Sequence, residues 1–111
     1  MCQTNTTYQK GDIILVDLEP SIGHEKGKYR PALVMNEQKL KGGITFILPI
    51  TSVNHDNELD VKLDERTHTK GYVECFQLRS VDVHSRATRK VDRAPDDIVQ
   101  QCASKVKQII S

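Results

Sequence analysis

The apolar residues of this chain change their spacing once, near Pro95, and that change restricts the fold more than any other feature. Before it, apolar runs are short and branched. They comprise Ile13-Ile14-Leu15-Val16 within Asp12 to Leu18, and Ala32-Leu33-Val34-Met35 within Ala32 to Asn36. Further on come the alternating Ile44, Phe46, Leu48 and Ile50 after Gly42-Gly43, then Leu59-Asp60-Val61-Lys62-Leu63, and Tyr72 to Phe76. Runs of this kind, bounded by Gly, Pro, Asn and Asp, read as strands. Arg79 to Val83 extends the Tyr72 strand, and Arg89 to Asp92 adds a short one. Beyond Pro95, Ile98, Cys102, Val106 and Ile109 fall on one stripe, with Val99, Ala103 and Ile110 beside it. Pro95 suits a first helical position, Asp96 and Asp97 suit the positive end, and Lys105 and Lys107 the negative end. The spacing predicts one amphipathic helix over Pro95 to Ile110. The fold class is therefore mainly β with a C-terminal helix (β+α): five to seven short strands closed by one helix, a small barrel rather than an open sheet.

At 111 residues the chain makes one domain, read as 11–111 behind a flexible N-terminal segment, 1–10. It has no Trp and only two Phe and three Tyr, so branched aliphatics must fill the core. A net charge of +1 announces no nucleic-acid partner; such a partner must be argued from where charges cluster. Cys2, Cys75 and Cys102 cannot all pair within one chain and show no C-x-x-C spacing, so Cys75 and Cys102 read as small buried apolar groups. His24, His55, His68 and His84 lack metal-ligand spacing, and the expectation is no metal and no cofactor. The apolar runs are too short to span a membrane, and the polar opening lacks a secretory core, so a cytoplasmic protein is expected.

The stretch Gly23-His24-Glu25-Lys26-Gly27-Lys28-Tyr29-Arg30-Pro31 joins the first two strands and carries an imidazole, a carboxylate and a guanidinium. Groups that move protons and groups that stabilise anionic oxygen are what phosphodiester cleavage requires. The same residues also make an ordinary polar loop. Arg79, Arg86, Arg89 and Lys90 form the best basic cluster, either a cradle for a nucleic-acid backbone or a charge-balanced edge shared with Asp82 and Asp92.

Taken in order, several segments resemble the MazF/PemK/Kid toxins. They are Gly11-Asp12-Ile13, Val16-Asp17-Leu18, Pro20, Gly23-His24-Glu25, Arg30-Pro31-Ala32-Leu33-Val34 and Pro49-Ile50-Thr51-Ser52. Gln77-Leu78-Arg79-Ser80-Val81-Asp82, Arg86, and Ala94-Pro95 with the closing helix complete the series. The resemblance spans nearly the whole chain. It implies an SH3-like barrel, a homodimer and a cognate antitoxin. It also implies a sequence-specific, metal-independent endoribonuclease acting on single-stranded RNA, mRNA in particular.

In metal-free RNA cleavage the neighbouring 2′-hydroxyl attacks phosphorus, leaving a 2′,3′-cyclic phosphate and a 5′-hydroxyl. On the resemblance, Arg30 stabilises the charged phosphate and is a candidate acid, and Thr51 offers a hydroxyl to it. Glu25 is the candidate base or positions Arg30, and His24 contacts RNA or moves a proton. Arg86, Arg79, Gln77, Arg89, Lys90 and Ser52 hold RNA, with Arg86 ahead of Arg89 and Lys90. Plain alternatives stand beside these roles: an ion pair of Arg30 with Glu25 or Asp17, a turn cap at Thr51, a solvated His24. Unpaired bases would be read, and Tyr29 and Tyr72 either stack on them or belong to the core. The polar stretch Ser52 to Asn57 borders the RNA groove or simply connects strands.

One departure matters. Some relatives carry Arg and Asp around the cysteine before the Gln-x-Arg segment, as acid and base; here those positions are Glu74 and Phe76. That pair does not carry over; Glu74 either takes part in the chemistry or, the favoured reading, is a polar residue on the wet face of a strand. The departure leaves room for a non-catalytic RNA- or protein-binding module on the same barrel; a DNA- or topoisomerase-directed toxin is a second alternative, since related barrels occur in toxins with such targets, and the retention of Arg30 and Thr51 disfavours both.

Overall fold

The computed structural model describes residues 8–17, 29–37, 40–85 and 87–110. His24, Glu25 and Arg86 lie outside these. The described chain is a seven-stranded antiparallel sheet followed by one helix: β1 (Asp12–Asp17), β2 (Tyr29–Val34), β3 (Ile44–Thr51), β4 (Asp60–Lys62), β5 (Tyr72–Glu74), β6 (Arg79–Asp82), β7 (Thr88–Arg93) and α1 (Asp96–Ile110). The Gly42-Gly43 turn takes the form of a single 3-10 turn, Lys41–Gly43.

Among the described residues the strands do not close into a ring. Their order is β4-β5-β3-β2-β1-β7, with β6 on β3 off this path. The expected closed barrel is thus an open, strongly branched sheet. The reason lies in β3, whose one edge is shared: Ile44 to Ile47 pair with β6, and Ile50 and Thr51 pair with β5. With three residues in β4 and four in β6, neither bridges to β7. The expected Tyr72-to-Val83 strand is split for the same reason. A turn closed by the Gln77 N–H on the Glu74 carbonyl, 3.0 Å, redirects the chain from one half of the β3 edge to the other.

Each face of the sheet has its own core, as alternation along strands requires. Ile13, Leu33, Leu48, Ile50, Val61, Leu63, Val73 and Cys75 face the helix, which returns Ile98, Val99 and Cys102. Cys75 and Cys102 are buried free thiols, as their apolar surroundings implied. Ile14, Val16, Ala32, Val34, Ile47, Val81 and Val83 fill the other face, with Tyr8 over them. The helix starts one residue later than its spacing predicts; Pro95 sits just before it and its carbonyl accepts the Ile98 and Val99 N–H groups. The stripe also stops short, because Ile109 and Ile110 in the last turn are exposed. Lys105 of α1 donates to the Glu58 carbonyl at 2.7 Å, which fixes the chain entering β4. No described helix is long and apolar enough to cross a membrane.

Candidate active site

On the face opposite the helix, the ends of β2, β3 and β5 surround an open groove of about 330 Å³. Arg30 enters from β2, Pro49 and Thr51 from β3, Glu74 from β5 and Arg79 from β6. His55 comes from the loop after β3, and Gln77 from the turn after β5. Four expected site residues, Arg30, Thr51, Gln77 and Arg79, are thereby brought together from four segments. Ser52 is exposed immediately beyond Thr51.

Backbone geometry sets the position of Thr51. It pairs with Tyr72, just after Gly71, and a Cβ on Gly71 would lie 2.3 Å from the Thr51 carbonyl oxygen. Gly71 also has φ +131°, a conformation open to glycine. Only glycine lets β5 begin so close to the end of β3. The Thr51 Oγ1 accepts the Val53 N–H at 3.2 Å, so it does cap a turn. An accepting hydroxyl keeps its own O–H to donate, so capping and phosphate contact are compatible.

Arg30 is exposed, and no described carboxylate comes within ion-pair distance of it. Asp17 cannot serve, for a reason of register: Asp17 stands opposite Tyr29 and Val16 opposite Arg30, so Asp17 and Arg30 project to opposite faces.

Glu74 departs most from expectation. It is only 9% exposed and lines the groove rather than a wet face. Val73 and Cys75 on either side point into the helix-facing core, so alternation turns Glu74 to the groove. Asp60 stands directly across from it in the β4–β5 ladder. Burial pushes the Glu74 carboxyl above its ordinary range, the Asp60 charge adds to this, and His55 and Arg30 pull it partly back. Burial likewise raises Asp60, with His55 opposing. Both Asp60 carboxylate oxygens are buried without a hydrogen-bond partner among the described residues. Among the described residues, no three His, Cys, Asp or Glu side chains gather as metal ligands.

Arg89 and Lys90 are not part of this groove. They lie on β7, at the far edge of the sheet, beyond β1. Arg89 lines a separate depression of about 250 Å³ with Leu15, Tyr29, Ala87 and Thr88, and Lys90 approaches Asp12 at 3.3 Å. Tyr29 is therefore with Arg89, whereas Tyr72 pairs with Thr51 at the groove's edge.

Residues 9–110 match the model of a family described as PemK-like, MazF-like toxins of type II toxin–antitoxin systems. The chain belongs to this family. It is 31% identical over 109 residues to the endoribonuclease toxin ChpB of Escherichia coli K12, covering 93% of this chain and 94% of that protein. It is 28% identical to the endoribonuclease PemK of Escherichia coli, over 100% of this chain and 88% of the relative. Among solved structures, MazF from Deinococcus radiodurans superposes with a TM-score of 0.83 at 27% identity, over 96% of this chain and 98% of that one. A MazE–MazF structure from the same organism gives 0.86 at 27% identity, over 96% and 97%.

Proposed function

We propose that this chain is an endoribonuclease toxin that cuts single-stranded RNA, mRNA above all, at a short sequence and without a metal ion. The 2′-hydroxyl attacks the adjacent phosphorus, giving 2′,3′-cyclic phosphate and 5′-hydroxyl ends. One observation carries this reading: Arg30 and Thr51 converge on one polar groove from separate strands, with Gln77 and Arg79 along its wall. A guanidinium fork and a hydroxyl aimed at one phosphate stabilise charge that grows during the reaction. The enzyme class agrees with the named relatives ChpB, PemK and MazF, all endoribonucleases.

Gln77, Arg79 and Ser52 are the RNA contacts nearest the cut, and Arg86 is a further one. Arg89 and Lys90 meet only RNA that continues across β2 and β1. His24 and Glu25 keep their proposed parts in proton transfer or in placing Arg30. MazF of Deinococcus radiodurans is solved together with MazE; by that likeness a cognate antitoxin binds this chain, and the active form is a cytoplasmic homodimer.

The test is incubation of purified protein with a long single-stranded RNA in EDTA, followed by analysis of the new termini. Discrete cuts with cyclic-phosphate ends are expected, and Arg30→Ala lowers the cutting rate by about 100-fold or more with the fold intact. Intact RNA that is nonetheless bound would establish the non-catalytic module instead. Cutting that stops in EDTA would overturn the metal-free chemistry.

A further inference from the structure

The groove is lined by one carboxylate that the binding of a polyanion does not call for, and a second stands beside it on the neighbouring strand. Glu74 projects into the space lined by Arg30, Thr51 and His55, and Asp60 faces it across the β4–β5 ladder. A buried carboxylate with no hydrogen-bond partner is costly, and both Asp60 oxygens are in that state. Acidic groups beside a phosphate site also repel the ligand. A residue that costs both stability and affinity is explained if it acts on the reaction itself.

We infer that Glu74, rather than Glu25 or His24, is the base that takes the 2′-hydroxyl proton in this chain, and that Asp60 is a positioning residue acting through it. The inference rests on the endoribonuclease reading above and replaces the missing Arg and Asp beside Cys75 with a different solution. In the step, the O2′–H bond breaks and its proton passes to the Glu74 carboxylate. The freed electron pair of O2′ forms the bond to phosphorus. The P–O5′ bond then breaks with its pair on O5′, which takes a proton from water in the open groove. The resulting hydroxide removes the proton from Glu74, so the site returns to its starting state.

The surroundings suit this task. A general base works best when its pKa lies near the working pH, and Glu74 is moved upward by burial and by Asp60. The charged and titratable neighbours are Asp60 on β4, His55 on the loop after β3, Arg30 on β2 and Arg79 on β6. Arg30 and His55 keep Glu74 ionisable in the presence of Asp60.

The experiment is single-turnover cutting of the single-stranded RNA in EDTA across a pH series, with RNA binding and thermal melting measured on the same samples. Glu74→Gln is expected to cut at least about 100-fold more slowly, to bind RNA no more weakly than the parent, and to melt no lower. Glu74→Asp retains part of the rate. Asp60→Asn moves the acidic limb of the profile to lower pH, because a neighbouring negative charge is gone, and an unmoved limb removes Asp60 from the assignment. A Glu74→Gln protein that cuts at the parental rate overturns the assignment, even if its preferred sequence changes, since that outcome makes Glu74 a base-reading group. Loss of the acidic limb in His55→Ala but not in Glu74→Gln overturns it too. If the parent protein itself fails to cut, the endoribonuclease reading falls and takes this inference with it.

Discussion

The two ends of the sheet each bury a carboxylate and treat it in opposite ways. At the β1–β7 end, Asp12 is 4% exposed and fully served: Arg93 donates at 2.8 Å, Lys90 stands at 3.3 Å, and the Gln9 N–H donates at 2.9 Å. At the β4–β5 end, Asp60 and Glu74 are held away from water, and the Asp60 oxygens have no hydrogen-bond partner. A satisfied buried charge ties segments together, here the N-terminal approach to the last strand. An unsatisfied one stores free energy that the fold alone does not need. The contrast separates a structural carboxylate from a functional pair within one small protein.

Gly71→Ala should give the largest effect, since the groove end depends on backbone contact rather than on ion pairs. The new Cβ would strike the Thr51 carbonyl, and the positive φ adds strain. The expected loss is about 3 kcal/mol in urea unfolding, with cutting lost from the folded fraction as Thr51 shifts. An unchanged midpoint would show that β5 can begin elsewhere and that Thr51 is placed by other contacts.

Asp12→Asn should come next. It removes a charge bonded by two cations, but their side chains are about half exposed, 46% for Arg93 and 50% for Lys90, so water offsets part of the loss. A decrease of about 2 kcal/mol is expected, with the cutting rate per folded molecule unchanged. The substitution at the other end should have the opposite sign: Asp60→Asn or Glu74→Gln should raise stability at neutral pH by about 1 kcal/mol. Equal signs at the two ends would break the comparison.

Titration gives the same contrast a direction. Asp60 and Glu74 have folded pKa values above their unfolded ones, so the native state holds more protons than the unfolded chain between those values. Their contribution is fully present below the unfolded pKa and is lost as pH rises through the folded one. Asp64, Asp92 and Asp97 are held low by hydrogen bonds and act in the other sense, losing stability as pH falls. Melting temperatures of the parent and of the Asp60→Asn/Glu74→Gln double variant should therefore converge on acidification and diverge above the carboxylate range.

How much of this was legible in the sequence depends on whether the information is local. The period change at Pro95 gave the helix within one residue, and branched runs located the strands, because alternation and the 3.6 spacing are written along the chain. The family motifs led to Arg30, Thr51, Gln77 and Arg79, which do meet in one groove. Glu74 reads from its own neighbourhood chiefly as a half-wet strand residue; what makes its face a groove is the arrival of Arg30, Thr51 and His55 from other segments, and that convergence is not written in any one of them. The alternation Asp60-Val61-Lys62-Leu63 was the available signal that Asp60 projects away from the core. His55 carries no local mark of its place in the groove beyond its position in the polar stretch Ser52 to Asn57. Lys90 fell with the basic cluster by proximity in sequence, whereas antiparallel pairing sends β7 to the far edge and Lys90 to Asp12.

The smallest effect tests whether burial, rather than charge chemistry, underlies the contrast. Arg66 forms a two-sided network, 2.8 Å to Asp64 and 2.9 Å to Asp97 at the start of α1, as short as the 2.8 Å from Arg93 to Asp12. The hydrogen bonds lower the Asp64 carboxyl to about 2. All three side chains stand well in water, where the gain from pairing is nearly matched by the cost of ordering them and by salt screening. Arg66→Ala should therefore leave the melting temperature close to the parent's in moderate salt, although it removes as many ion pairs as Asp12→Asn. A drop as large as that of Asp12→Asn would mean that ion-pair number, not desolvation, governs stability here, and Asp60 would lose its standing as a strained and functional exception.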